Sequence, residues 1–437
     1  MKRIAAILLA SCLLAGCGAA GTMDDVAVLP AATAETAGQS LTVYCDAPEQ
    51  SALRAALQQY SDVQGVTVTY TQDAAAADLA LLSAMPEGDG WQDLTGQPLL
   101  AAAASRAGLP AEGQETVTAL PLGRSLYAYW ANGELLTALL GETCLIDLQN
   151  ASWTEWSALV QDLTAWLDAP AETALTLNGN AYTLPAQAPE AAAGLQGVFA
   201  VPGGEPAAAW SGAALTGALL AAGDERTDTA LTGPLNGVYS ALTLELENAA
   251  SAEGTLADAA SALAGGQALF VRAGLADLTA VLGADAVQSL VPVPFKCYFE
   301  QSDLTTEEYD LTGLMNYPTL ACAGYLAIPA GSGNADGAAS AILWLYGSGT
   351  GNTALTDGLL LVTPWNTASN TTTLGAMQVQ VVSTGILPES PLTTGQAAAL
   401  AEACTDLAAA AARTNATRTN ATRTAFVQAV LAGLGVA

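Results

Sequence analysis

Apolar and polar residues alternate from Leu41 to Cys45 (Leu-Thr-Val-Tyr-Cys), which predicts a strand. Leu and Ala then recur at helical spacing between Pro48 and Tyr60, and Val66 to Tyr70 alternates again, so this stretch reads as a β-α-β unit. Ala77 to Leu82 supplies a third, buried strand after a short connection. Strands that alternate with helices predict an α/β fold: a mostly parallel sheet with helices on both faces, and ligands at the carboxyl ends of the strands.

The pattern continues with strands over Val117–Leu122 and Leu126–Trp130, then a helix over Asn132–Leu140. Ser152-Trp-Thr-Glu155 is a capping box that opens an apolar helical run to Leu167. Glu172 to Leu184 has two alternating arms around Asn178-Gly179-Asn180, which predicts a hairpin. Further on, Gly197–Val201 and Gln267–Arg272 read as strands, and Ala207–Ala221, Leu235–Ala249, Ala257–Ala264 and Leu275–Leu282 as helices. Val291-Pro-Val-Pro294 is predicted to be an edge or crossing segment, because two prolines remove ladder donors. Ala323–Pro329 reads as a strand, Asp336–Tyr346 as a helix and Ala425–Leu434 as a last helix. Before that helix, Arg413-Thr-Asn-Ala-Thr417 is repeated as Arg418-Thr-Asn-Ala-Thr422, too short a period for a solenoid.

A mean hydropathy of +0.35 raises the question of a membrane span. The longest apolar stretch lies at the N-terminus: Lys2-Arg3, then Ile4 to Leu14, then Leu14-Ala15-Gly16-Cys17. It is short for a span and resembles a bacterial lipoprotein signal. The resemblance implies cleavage before Cys17, lipidation of that residue and an address on the outer face of the cell membrane. An ordinary secretory signal with an incidental cysteine is the alternative. Residues 18–40, rich in Ala, Thr and Gly, read as a flexible tether.

The 437 residues include 41 Asp plus Glu, 11 Lys plus Arg and no His. The absence of His rules out Ser-His-Asp and Cys-His catalytic units and His-ligated metals. A net charge of −30 speaks against nucleic acid as a partner. Loss of Lys2 and Arg3 with the signal takes that charge to −32. Of seven cysteines, Cys12 and Cys17 fall in the export segment, and Cys45, Cys144, Cys297, Cys322 and Cys404 are scattered without a C-x-x-C pair. Mostly free thiols are expected, and no metal or other cofactor.

Several segments together resemble the extracellular solute-binding proteins of bacterial ABC importers, in the sugar-binding class that includes maltose-binding protein. These are LTVYCDAPEQSALRAALQQY with VTVTY at the start, TALPLGRSLYAYWANGELL, ASWTEWSALV, ALAGGQALFVRAG and ACAGYLAIPAGSGNADGAASAILWLY, in the family's order over about 300 residues. The resemblance implies a two-lobed periplasmic-binding-protein-like α/β fold with a ligand cleft between the lobes. It implies a monomer that delivers a small-molecule solute, a carbohydrate foremost, to ABC permease subunits and is held to the membrane by its lipid. Family topology places residues 41–119 with 257–316 in lobe 1 and 124–253 with 324–437 in lobe 2. The crossings are expected near 120–125, 254–258 and 317–323.

Sugars are held by flat apolar faces and a few polar groups. Among the eight Trp, Trp210 and Trp365 sit beside small or polar residues instead of in an apolar stripe, and are candidates for the cleft. Trp91 is expected to anchor a loop, and Trp153, Trp156, Trp166 and Trp344 to pack helices. Tyr127 and Tyr129 share one face of the strand after the first crossing, with Trp130 on the other. Asp46 and Glu49 follow the first strand, where they either bind ligand or cap the helix. Arg124, at the first crossing, either binds ligand or pairs with a carboxylate. Arg272 stands where the maltose-binding relatives have an aromatic-bearing turn, so that wall of the pocket differs.

Other functions remain open. A cationic solute, a peptide or a metal chelate on the same fold would suit the acidic charge, and a surface glycosidase would need only a carboxylate pair. The glycine-rich run from Gly347 lacks the Gly-Lys-Ser/Thr of a phosphate loop.

Overall fold

The computed structural model describes residues 39–46, 50–107, 109, 116–210, 212–223, 226–307, 309–316, 318–363, 387–388, 392–414 and 419–436. Cys17, Glu49 and Trp365, together with the signal and nearly all of the tether, lie outside them.

Two sheets organise the chain. The first holds β1 (Ser40–Cys45), β2 (Thr67–Tyr70), β3 (Leu79–Leu82), β4 (Ala119–Pro121) and β13 (Tyr325–Ala327), in the order β2-β1-β3-β13-β4. β1 runs parallel to β2 and β3, whereas β13 is antiparallel to both β3 and β4. Around it lie α1 (Gln50–Gln64), α2 (Pro98–Arg106), α12 (Ala335–Gly347) and α13 (Gly349–Thr356). One face carries Leu41, Val43, Leu79, Leu81 and Leu326 into an apolar core shared with these helices; the other carries Ala80, Leu82 and Tyr325 against Met85 and Trp91. The two-residue alternation read from Leu41 to Cys45 thus becomes two packed faces.

The second sheet holds β5 (Arg124–Asn132), β8 (Gly197–Ala200), β9 (Ala249–Ser251), β10 (Ala268–Gly274), β11 (Leu290–Val293), β12 (Thr319–Cys322) and β14 (Leu387–Pro388). Its order is β14-β12-β5-β10-β8-β9, with β11 also paired to β5. β11 carries Pro292 and pairs with β5 alone, the edge position that its prolines require. The same lobe holds α3 (Gly133–Leu140), α4 (Cys144–Asn150), α5 (Trp153–Asp168), α6 (Pro206–Ala209), α7 (Thr216–Ala222), α8 (Asp228–Glu247), α9 (Leu256–Ala264), α10 (Leu275–Leu282), α11 (Leu311–Asn316), α14 (Thr394–Thr414) and α15 (Asn420–Gly433). The capping box forms at Ser152 and Glu155, and the hairpin forms as β6 (Thr173–Leu177) and β7 (Asn180–Leu184). The Asp147 carboxylate accepts from Asn178, Asn180 and Tyr182, which docks the hairpin on α4. The helix expected over Ala207–Ala221 is broken: α6 stops before Trp210, and a tight turn at Gly212–Leu215 leads into α7. Of the repeat, residues 415–418 are outside the description, with α14 ending before them and α15 starting after.

Strand pairing corrects the lobe boundaries. Residues 257–316, expected in lobe 1, contribute β10 and β11 to the second sheet, because both pair with β5. Conversely, β13, α12 and α13, expected in lobe 2, complete lobe 1. Gly254–Asp258 is no crossing; it leads into the capping box of Thr255 and Asp258 that starts α9. Three strands instead run side by side between the lobes. Leu122 N–H donates to Gly324 O (2.8 Å) and Ala323 N–H to Gly123 O (3.0 Å), while Arg124 and Val362 exchange bonds of 2.9 and 2.8 Å. Glycine is needed at two of these positions. A Cβ on Gly123 would lie 2.8 Å from Cβ of Leu361, and Gly324 has φ +139°.

Among the described residues no helix is long and apolar enough to cross a membrane, and Cys45, Cys144, Cys297, Cys322 and Cys404 form no disulfide.

Candidate functional site

The lobes meet where strands end. In lobe 1 the carboxyl ends of β1 and β3 lie side by side: Asp46 N–H donates to Leu81 O (3.1 Å), and the Asp46 carboxylate accepts from Ser83 N–H at 2.7 Å. Asp46 is exposed at this edge. Arg124, half-buried at the first crossing, donates through Nη2 to Ala107 O (3.1 Å) just past α2. Its partner there is a main-chain carbonyl and not a carboxylate. In lobe 2, the register brings the start of β5 and the ends of β8 and β10 to the edge from which the crossings leave.

At that edge the remaining four candidates come together. Arg272, near the end of β10, faces Tyr129 across the ladder, with Tyr127 on the same face. Arg272 donates through Nε to Glu245 Oε1 (2.8 Å) and through Nη2 to Glu245 Oε2 (3.0 Å), a two-pronged pair, and through Nη1 to the Tyr127 hydroxyl. Tyr129 donates to Glu245 Oε1 at 2.7 Å. The guanidinium carbon lies 5.4 Å from the ring centres of both Trp210 and Phe295. Burial works against the charge on Arg272, but Glu245 together with Tyr127 and Tyr129 outweighs it and lifts the pKa above the ordinary arginine value. For Tyr129, burial and then the Glu245 charge both raise the phenol well above its usual range.

These four residues are interior groups: Arg272 is 4% exposed, Trp210 2%, Tyr127 1% and Tyr129 0%. They form the inner layer of the lobe-2 edge: Arg272 and Tyr129 turn on Glu245, Arg272 also on Tyr127, and the buried Trp210 Nε1 has no hydrogen-bond partner. Glu245 was missed in the sequence. It sits on α8 among apolar neighbours, and a lone carboxylate on such a face, in a chain with an unassigned Arg on a buried strand, is the available signal. Trp91 is half-buried against the second face of the lobe-1 sheet, and Trp156, Trp166 and Trp344 are buried packing residues. Asn132 caps α3 by accepting from Leu135 N–H.

Among the described residues no group of three or more Cys, Asp or Glu is arranged to hold a metal ion. No protein-family model matches the sequence, and no curated protein is similar to it. Solved structures do match. A solute-binding protein of Streptococcus pneumoniae in complex with the blood group A-trisaccharide is 12% identical, with a TM-score of 0.57 over 91% of this chain and 99% of that one. The GacH receptor of Streptomyces glaucescens, solved unliganded and with acarbose, is 13% identical, with a TM-score of 0.57 over 91% and 99%. RafE in complex with raffinose is 11% identical, with a TM-score of 0.57 over 90% and 99%. The likeness covers about nine-tenths of the chain, so this chain has the two-lobed α/β fold of those proteins.

Proposed function

We propose that this protein is the substrate-binding component of an ABC importer, lipid-anchored through Cys17 at the outer face of the membrane. It captures a carbohydrate, an oligosaccharide foremost, between its lobes and presents it as a monomer to membrane permease subunits. The observation that supports this reading is the architecture: two sheets joined by three adjacent strands, shared over about nine-tenths of the chain with receptors solved with trisaccharides and acarbose. In such a molecule the solute touches both lobes only when they are closed, so binding shifts the open–closed balance by its differential affinity, with no bond made or broken. Asp46 and Arg124 would reach solute hydroxyls from the end of β1 and the first crossing. Tyr127, Tyr129, Trp210 and Arg272 would form the wall behind them, its charge neutralised internally by Glu245.

Thermal unfolding in the presence of raffinose, maltooligosaccharides, spermidine, calcium and short peptides tests this. A ligand at a hundred times its Kd stabilises by about 2.7 kcal/mol, equivalent to roughly 5–10 °C for lobes of this size. A shift with an oligosaccharide alone is expected. A shift with spermidine or calcium and none with any sugar would replace the carbohydrate by a cationic solute, which the charge of −30 suits. Release of cleaved sugar would establish a glycosidase.

A further inference from the structure

Besides the three covalent crossings, a non-covalent contact between the lobes stands out. The loop after β3 in lobe 1 reaches the first turn of α14, whose body packs in lobe 2 through Leu400, Ala403, Cys404 and Leu407. Met85 N–H donates to Leu392 O (3.1 Å), and Thr394 returns N–H and Oγ1 bonds to Met85 O (2.9 and 3.0 Å). Glu87 Oε2 accepts from Gly395 N–H at 3.2 Å. The anchors on both sides are firm: Met85 is buried in the second-face cluster of lobe 1, and Leu392 in the core of lobe 2. No relative rotation that parts Met85 from Leu392 can keep these four bonds. Glu87 adds a charge-assisted bond at a helix N-terminus, where negative charge is favoured.

We infer that this contact is a clasp that holds the two lobes in the arrangement seen here, and that Glu87 sets how readily they leave it. A solute that closes the cleft then works on a balance already biased by the clasp. The inference rests on the two-lobed architecture alone, so a failed sugar screen leaves it standing.

Hydrogen exchange on the ligand-free mature chain, with Glu87→Ala, Glu87→Gln and Thr394→Val, reads the clasp through its own donors. Glu87 is exposed, so its substitution leaves the cores intact. Loss of a hydrogen bond to a charged group changes such an equilibrium by about tenfold. E87A is expected to speed exchange at Met85, Thr394 and Gly395 together by that factor, E87Q and T394V by less, and the radius of gyration from small-angle scattering to change in the same order. Faster exchange at Gly395 alone would reduce Glu87 to a local helix cap. Unchanged exchange at all three amides, or faster exchange with an unchanged radius, would equally overturn the clasp.

Discussion

Replacing Glu245 by Leu removes the only carboxylate that faces Arg272 among the described ion pairs. The guanidinium would lose bonds of 2.8 and 3.0 Å and the Tyr129 hydroxyl its acceptor at 2.7 Å, while Arg272 stayed 96% buried beside Trp210 and Phe295. Breaking a buried pair on one side costs about 3–5 kcal/mol, which for a lobe of this size lowers the unfolding midpoint by about 10 °C. Replacing Arg272 by Met should cost a similar amount, since Glu245 would then be the stranded charge. The paired variant, Arg272→Met with Glu245→Leu, removes both charges and leaves chiefly the two tyrosine hydroxyls to be resatisfied, each worth about 1–3 kcal/mol. The cycle should therefore show a coupling of about 2 kcal/mol or more. Calorimetric unfolding of all four proteins at pH 7 measures it. Two single substitutions whose costs simply add, or a Glu245→Leu variant within about 1 kcal/mol of the parent, would show that the pair is not the anchor of this edge.

Two further outcomes follow from buried groups and close approaches. Lys296 is fully buried, with Nζ donating to Gln149 O (2.7 Å) and Asn316 Oδ1 (2.9 Å), and burial pushes its pKa down to about 7 against the pull of Glu155. The native state thus binds fewer protons than the unfolded chain between about pH 7 and the ordinary lysine value near 10.5. Stability should rise with pH across that window, and denaturant unfolding of Lys296→Met should lose that part of the slope. Gly123→Ala would press a Cβ to within 2.8 Å of Leu361, at a cost of about 1–3 kcal/mol; chemical denaturation checks it, and a neutral substitution would mean that the crossings slide past one another freely.

Local features were legible in the sequence because local chemistry determines them. The Ser152–Glu155 capping box, the Asn178-Gly179-Asn180 turn and the alternation of Leu41 to Cys45 all formed where the pattern put them. The lobe boundaries were not legible, because they depend on which strands pair. β10 lies beside β5 although more than a hundred residues separate them, and neither strand's pattern names its partner. The third crossing, at Val362, carries only a short apolar run as a signal. Tyr127, Tyr129, Trp210 and Arg272 were legible as a group of unusual residues but not as an interior one. Alternation separates the two faces of a strand, and in a sheet covered on both sides each face is buried. Glu245, which lies 27 positions from Arg272, could be recognised as its partner only once α8 was seen against β10.

The place of β13 between β3 and β4 governs how the molecule is made. A ribosome completes β3 and β4 early, but the strand that must lie between them, Tyr325–Ala327, emerges only after nearly two hundred residues of the other lobe. Until then the lobe-1 sheet is a gap flanked by two unpaired edges, the kind of surface that invites mispairing. Lobe 2 can assemble most of its sheet from one uninterrupted stretch of chain, and lobe 1 can finish only afterwards. Lobe 1 thus waits for most of lobe 2 to be made, lobe 2 in turn waits for α14 and α15 to complete its core, and neither lobe can be obtained whole by cutting the chain once.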